Sequence, residues 1–96
     1  MARITFAESA LRDLEDVCEW YASQGVPEVG QRLVGEVVAS VEQVAQFPES
    51  GRVVPEFETP RLRELIQPPF RIVYRLDDDT VRVVRVWRSE RLIEEP

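Results

Sequence analysis

The sequence predicts an α+β domain in which an N-terminal helical hairpin packs on one face of a small, mostly antiparallel sheet. Apolar residues recur every three or four positions through residues 7–47, which is the spacing of amphipathic helices. They alternate with polar residues through 70–76 and 81–87, which is the spacing of half-buried strands. Since 96 residues suffice for one modest core, we expect a single domain over residues 1–96, in the order β-α-α-β-β-β.

The N-terminal half is predicted to contain one short strand and two helices. Residues 2–6 alternate in hydrophobicity as a strand does, and residues 7–25 then repeat apolar side chains at helical spacing. Residues 26–47 repeat this spacing, with Pro27 in the first turn, where a backbone N–H would have no helical partner anyway. Because few residues connect the two helices, we expect them to be antiparallel.

Three small residues in the second predicted helix admit two interpretations. Gly30, Gly35 and Ser40 either allow the two helices to approach closely, or they merely weaken the helix. The second effect amounts to about 1 kcal/mol at most for each glycine. The sequence leaves both interpretations open.

The stretch FPESGR, residues 47–52, ends the longer predicted helix. Pro48 cannot continue a helix because it lacks the N–H group that the helix needs, and Gly51 suits a left-handed backbone. We therefore expect a tight turn between the helical hairpin and the sheet.

Three strands are predicted in the C-terminal half, over residues 61–66, 70–76 and 81–87. The last two are joined by the sequence DDDT, whose three adjacent carboxylates point in different directions. This pattern favours a turn over a metal site.

The register of the last two strands follows from their hydrophobic pattern. Pairing Leu76 with Val81 across the turn sets Phe70 opposite Trp87 and gathers the large apolar side chains on one face. Only Arg85 is out of place on that face. A shift of one residue would mix the two faces, so this register is the predicted one.

The opposite face of these strands mixes arginine with valine. It predicts either a surface for a partner or a solvated face that carries arginines by chance. On it Arg75 lies directly opposite Arg82, which is unfavourable unless an anion or solvent intervenes. The residues of this mixed face are Arg71, Val73, Arg75, Arg82, Val84 and Val86.

Composition and charge limit the classes of function that the protein can have. All twelve basic residues are arginine, and residues 1–51 account for the whole net charge of −6. Net acidity disfavours general nucleic-acid binding, although a small basic patch remains compatible with it.

The single cysteine, Cys18, excludes an internal disulfide and cannot form a zinc site alone, so we expect neither metal nor other cofactor. No apolar run is long enough for a membrane span, and MARITF lacks a signal-peptide core, so we expect a cytoplasmic protein.

The order of elements, the FPESGR turn and the segment RELI…PFRIVYRLDDDTVRVVRVWRSERL resemble the RelE/ParE superfamily, the toxins of bacterial toxin–antitoxin modules. The resemblance covers nearly the whole chain. The long helical hairpin and the Pro-x-x-Gly-Arg turn are most similar to the ParE branch, often labelled plasmid-stabilisation proteins. The resemblance implies a toxin that a cognate antitoxin neutralises by forming a complex with it.

The superfamily holds two modes of action. ParE-like members poison DNA gyrase and are not known for catalysis, and we expect this mode. RelE-like members cleave messenger RNA on the ribosome, using basic residues and a tyrosine or histidine near the end of the chain. Arg63 (or Arg61), Arg71 and Arg88 match those basic positions, but neither tyrosine nor histidine follows Trp87. Since arginine is a poor proton shuttle, the ribonuclease is the alternative, together with an inactive homologue that only binds its antitoxin.

The resemblance and the predicted faces together assign roles to several residues. We expect an acidic, partly helical antitoxin segment to cover the mixed face, and Trp87, Arg88 and Arg91 to contact the target, because tryptophan and arginine commonly anchor interfaces. Alternatively, Trp87 caps the core and the two arginines are solvated. Arg52 is expected to be structural, since a guanidinium beside the sheet can bond helix-terminal carbonyls or a sheet carboxylate.

Overall fold

The computed structural model describes residues 1–54 and 59–88. A first strand, β1, is followed by two helices and then by four more strands, so the predicted α+β class is confirmed. Neither helix in this part of the chain has the length and apolar character that crossing a membrane requires. The elements are Arg3–Phe6 (β1), Glu8–Ser23 (α1), Pro27–Gln46 (α2), Arg52–Val53 (β2), Leu62–Gln67 (β3), Phe70–Asp77 (β4) and Thr80–Arg88 (β5).

The five strands form one sheet in the order β1-β5-β4-β3-β2. Strand β1 runs parallel to β5, and every other neighbouring pair is antiparallel. The sheet has one strand more than predicted, because β2 contributes only Arg52 and Val53, opposite Glu64 and Arg63. Two residues are too few to show an alternating pattern, so β2 has no signature in the sequence.

The core lies between the helical hairpin and one face of the sheet. Burying each of its larger aliphatic or aromatic side chains contributes roughly 1.5–3 kcal/mol relative to leaving it exposed. The helices supply Ala10, Leu14, Leu33, Val37, Val41 and Val44, and the sheet supplies Phe70, Ile72, Tyr74, Val81, Val83 and Val86.

The three small residues of α2 have different roles. A Cβ atom on Gly30 would lie 3.2 Å from both the Cα of Cys18 and the Cβ of Tyr21, so glycine here permits close helix packing. A Cβ atom on Gly35 would meet nothing within 4 Å, and this glycine only weakens the helix. Ser40 instead donates a 2.6 Å hydrogen bond from its hydroxyl to the side chain of Gln67 in β3.

Strands β4 and β5 pair as predicted near their turn, but the register changes further along. Tyr74 lies opposite Val83, as the predicted register requires, whereas the preceding residue Val73 lies opposite Arg85. Val84 is therefore an additional residue in β5, and the ladder contains a β-bulge at this point.

The bulge makes the predicted register wrong beyond Val84. Phe70 lies opposite Arg88 instead of Trp87, and Trp87 lies opposite Arg71. Val86 is in the hydrophobic core and not on the mixed face. One inserted residue reverses the direction of every later side chain, because side chains alternate between faces with a period of two.

Candidate functional site

The turn after α2 is held by the side chain of Tyr74. Its hydroxyl donates a 2.9 Å hydrogen bond to the carbonyl oxygen of Pro48 and accepts one of 2.9 Å from the N–H of Gly51. Burial raises the pKa of Tyr74 above its ordinary value, and the hydrogen bond from Gly51 opposes this only in part. The hydroxyl is thus a fixed structural group.

Gly51 is required for a different reason from the one predicted. It is Gly25, with φ of 82°, that has the left-handed backbone. A Cβ atom on Gly51 would overlap the Tyr74 hydroxyl and lie 2.7 Å from the carbonyl oxygen of Glu64. Gly51 therefore permits the turn to approach the sheet closely, and this close approach allows Tyr74 to reach it.

Arg63 also binds the turn. Its Nη1 donates hydrogen bonds of 3.1 and 3.0 Å to the carbonyl oxygens of Glu49 and Gly51, and its Nε donates one of 3.2 Å to that of Pro60. This guanidinium is directed at the backbone of its own chain.

A buried carboxylate completes this arrangement. Glu64 is only 1% exposed, and its two carboxylate oxygens accept hydrogen bonds from Nε of Arg52 and Nε of Arg71. The Arg71 side chain is buried as well, whereas that of Arg52 is 70% exposed. A buried carboxylate is tolerated only when such partners offset its loss of hydration. We call Pro48–Arg52, with Arg63, Glu64 and Tyr74, the turn network.

Glu64 was absent from the residues that the sequence analysis singled out. It stands in the predicted strand as an ordinary polar residue, and the surrounding pattern does not mark it as buried. The available signal was the expectation that Arg52 bonds either helix-terminal carbonyls or a sheet carboxylate, and the structure gives it the carboxylate of Glu64.

Beyond the end of β1, side chains of helix α1 bind the backbone of β5. The hydroxyl of Ser9 donates a 2.7 Å hydrogen bond to the carbonyl of Val84, and the carboxylate of Asp13 accepts one of 2.8 Å from the N–H of Val86. Asp13 also accepts two hydrogen bonds, of 2.8 and 3.0 Å, from the guanidinium of Arg85. Hydrogen bonding to Asp13 raises the pKa of Arg85. These contacts fix the helix against the strand around the bulge.

A groove of about 760 Å³ opens between the second half of α1 and the far end of β5. Trp20 is 55% exposed there, and its ring meets that of Tyr21 edge-on at 4.8 Å. The guanidinium of Arg88 lies 5.8 Å from the ring centre of Phe70. The side chains that line this groove belong to Asp13, Asp16, Val17, Trp20, Tyr21, Phe70, Arg85, Val86, Trp87 and Arg88.

The groove brings together two of the three residues predicted to contact a target. Trp87 and Arg88 both line it, whereas Arg91 lies outside the described residues. Trp20 was missed, because on a helix its spacing does not distinguish a core position from an exposed one. An aromatic groove with arginine on the sheet side and aspartate on the helix side suits an amphipathic protein segment.

The predicted mixed face is not one exposed surface. Val86 is in the core, and Arg71 and Val73 are also buried. Arg75 and Arg82 do lie opposite each other, but their guanidinium groups bind different side chains. The Nε of Arg75 donates a 2.8 Å hydrogen bond to Asp77, and Nη1 of Arg82 donates one of 3.2 Å to the hydroxyl of Thr5. The accessible remainder of this face is Arg75, Arg82 and Val84.

The three arginines that match a nuclease site have separate partners. Arg63 binds backbone carbonyls of the turn, Arg71 binds the carboxylate of Glu64, and Arg88 lies over Phe70. Tyr74, which could in principle transfer protons, is held by the turn.

Comparison with known proteins gives consistent matches over nearly the whole chain. A family model described as "ParE toxin of type II toxin-antitoxin system, parDE" matches residues 4–93. A protein of Caulobacter vibrioides named Toxin RelE2 is 33% identical over 93 residues, which cover 96% of this chain and all of that protein.

Solved structures of other proteins share the fold, among them the following two. One is described as the chromosomal ParDE system from P. aeruginosa; it has a TM-score of 0.76 at 24% identity, over 92% of this chain and 96% of that one. The other, the toxin–antitoxin complex RelBE2 from Mycobacterium tuberculosis, has a TM-score of 0.62 at 20% identity, over 91% of this chain and 96% of that one. At these identities the likeness concerns the fold alone.

Proposed function

The chain belongs to the ParE toxin family of type II toxin–antitoxin systems, and we propose that it inhibits DNA gyrase in the cytoplasm until a cognate antitoxin neutralises it. The observation that carries the choice of gyrase is that two arginines already bind other groups of the protein. Arg63 and Arg71, which a ribonuclease would direct at a phosphate, bind the protein's own carbonyls and the carboxylate of Glu64.

Histidine and tyrosine, the acid–base residues expected near a RelE-like site, are scarce in this sequence. The chain contains no histidine and two tyrosines, Tyr21 and Tyr74. Tyr74 is buried with a raised pKa, so its hydroxyl is a poor proton donor and acceptor at neutral pH. Gyrase inhibition by binding requires a shaped surface and no proton transfer, and the groove offers such a surface.

We assign target contact to the groove, through Trp87 and Arg88, with Arg91 following them in the sequence. Tryptophan and arginine contribute disproportionately to binding energy in interfaces. Trp20, on the opposite wall, adds an exposed indole to the same surface.

The experiment that tests this target compares two activities of the purified protein. It should block DNA supercoiling by gyrase, and its expression without antitoxin should cause filamentation and a DNA-damage response. Messenger RNA on stalled ribosomes should remain uncut. Codon-phased cleavage in the ribosomal A site, lost in Arg71→Ala, would instead establish the ribonuclease, which the name of the Caulobacter relative keeps as the second candidate.

For the antitoxin, we propose contact with the accessible remainder of the mixed face. Arg75 and Arg82 are expected to meet acidic side chains, together with Val84, the residue inserted at the bulge. Co-expression should give a hetero-oligomer that melts at a higher temperature than the toxin alone. If Arg75→Glu combined with Arg82→Glu leaves this complex unchanged, the antitoxin occupies another surface.

A further inference from the structure

Two arginines lie over the indole of Trp87, and each of them is held by a carboxylate. The guanidinium carbon of Arg71 is 5.8 Å from the ring centre, and that of Arg85 is 5.0 Å from it. Glu64 holds the first arginine and Asp13 holds the second. We propose that Glu64 and Asp13 are positioning residues, which fix the orientation of Trp87 in the groove through Arg71 and Arg85.

The arm from the sheet, formed by Glu64 and Arg71, is almost completely buried. The side chains of Glu64 and Arg71 are 0% and 4% exposed, so their ion pair is shielded from water and its geometry is closely constrained. Arg71 is also the residue directly opposite Trp87 in the ladder. The guanidinium is therefore held by Glu64 on one side while it faces the indole.

The arm from the helix, formed by Asp13 and Arg85, is a bidentate ion pair and is partly exposed. Asp13 accepts from both Nε and Nη2 of Arg85, which aligns the plane of the guanidinium as well as its position. The same carboxylate accepts from the N–H of Val86, the residue before Trp87. Asp13 thereby fixes both the backbone next to Trp87 and the cation that lies over its ring.

The two arms converge on one ring from different layers of the fold. Cations over an indole are attracted by its electron-rich face, and the attraction is stronger where water is excluded. A side chain whose orientation is fixed before binding loses less conformational entropy when a partner binds. This inference rests on the proposed role of the groove only for its functional consequence, because the orientation of Trp87 can be measured without any partner.

The first test measures the mobility of Trp87 in the isolated protein. Since the chain has two tryptophans, Trp20→Phe leaves Trp87 as the only indole. In this background we expect Asp13→Asn and Glu64→Gln to increase acrylamide quenching of Trp87 and to weaken its near-ultraviolet circular dichroism. Glu15→Gln, which removes a charge from an exposed position of the same helix, should change neither signal.

Folding is verified by far-ultraviolet circular dichroism. If Glu64→Gln does not fold, Arg71→Lys replaces it, since lysine keeps a positive charge beside Glu64 but removes the planar group from Trp87. Unchanged quenching and circular dichroism of Trp87 in folded Asp13→Asn and in the folded sheet-arm variant would overturn the proposal.

The second test links this orientation to inhibition of gyrase. We expect Asp13→Asn to raise the concentration needed for half-inhibition of supercoiling by about two- to tenfold, the range expected for releasing one immobilised side chain. It should have no further effect when Trp87→Ala is already present. An equal effect of Asp13→Asn with and without Trp87 would contradict the proposal. If the wild-type protein does not inhibit gyrase at all, the proposed target is wrong, and the fluorescence result still decides the role of the carboxylates.

Discussion

The turn network and the groove are built from the same kinds of residue, but they differ in what those residues contact. In the turn network, Arg63, Glu64 and Tyr74 bind groups of the protein itself, and the carboxylate and hydroxyl are buried. In the groove, Trp20 is largely exposed and Trp87 and Arg88 are partly so. Arginine and aromatic residues therefore form structure at one place and a binding surface at the other, and burial decides which.

Arg71 connects the two regions. It gives its Nε to Glu64, the buried acid of the turn network, and it places its guanidinium beside Trp87 in the groove. The comparison therefore predicts that changes in the turn network reduce stability, whereas changes in the groove reduce binding and leave stability nearly unchanged.

The largest expected effect is that of Gly51→Ala. The added methyl group would overlap the Tyr74 hydroxyl and press on the Glu64 carbonyl, so we expect a loss of at least about 2 kcal/mol in the free energy of unfolding. Urea unfolding measures this loss. Gly35→Ala is the matched control, because its new methyl group meets nothing within 4 Å in an exposed helical position, and it should add up to about 1 kcal/mol. Equal stability of the two variants would show that the turn does not need its close approach to the sheet.

A smaller loss is expected for Tyr74→Phe. This change leaves the Pro48 carbonyl and the Gly51 N–H without their partner, at a cost of about 1–3 kcal/mol.

The same variant should alter the response to alkali. Because burial raises the pKa of Tyr74 above 10.0, the folded protein holds this proton more tightly than the unfolded chain. Its contribution is complete below about pH 10 and is lost as the pH rises through the folded pKa. Unfolding measurements between about pH 9 and pH 11 should show this decline in the wild type and a weaker one in Tyr74→Phe. Parallel curves would mean that Tyr74 ionises as it does in the unfolded chain.

The smallest effect on stability is expected for Arg88→Ala combined with Arg91→Ala. We expect a change of about 0.5 kcal/mol or less, because Arg88 is only partly buried. The same variant should abolish growth arrest while retaining antitoxin binding. Arg12→Ala, which removes an exposed arginine from α1, is the control and should retain growth arrest. Full toxicity of the double variant at equal expression would remove Arg88 and Arg91 from the target interface.

The sequence predicted the elements whose pattern is local. The helices follow from apolar spacing within each segment, and the β4–β5 hairpin follows from alternation around its turn. The bulge at Val84 broke this alternation, and its traces were the adjacent Val83 and Val84 and the apparently misplaced Arg85. The register prediction assumed that neither strand contains an inserted residue. It therefore assigned Trp87 and Val86 to the wrong faces.

The candidate site was predictable only in part, because it depends on contacts between distant segments. Trp87 and Arg88 were identified by residue type, but the wall supplied by Trp20 comes from a helix near the other end of the chain. Likewise the partner of Arg71 is a buried acid on another strand. Neither relation leaves a periodic signal in the sequence.

The parallel pairing of β1 with β5 has a consequence for biosynthesis. Thr5 and Arg82, which pair in these strands, are 77 positions apart, so β1 leaves the ribosome long before the strand with which it pairs. Contacts of such long range slow folding, because the intervening chain must be ordered before they form. A chain terminated before Thr80 lacks β5, and with it one wall of the groove and the anchor of α1. The folded, binding-competent surface therefore arises only after β5 has been translated.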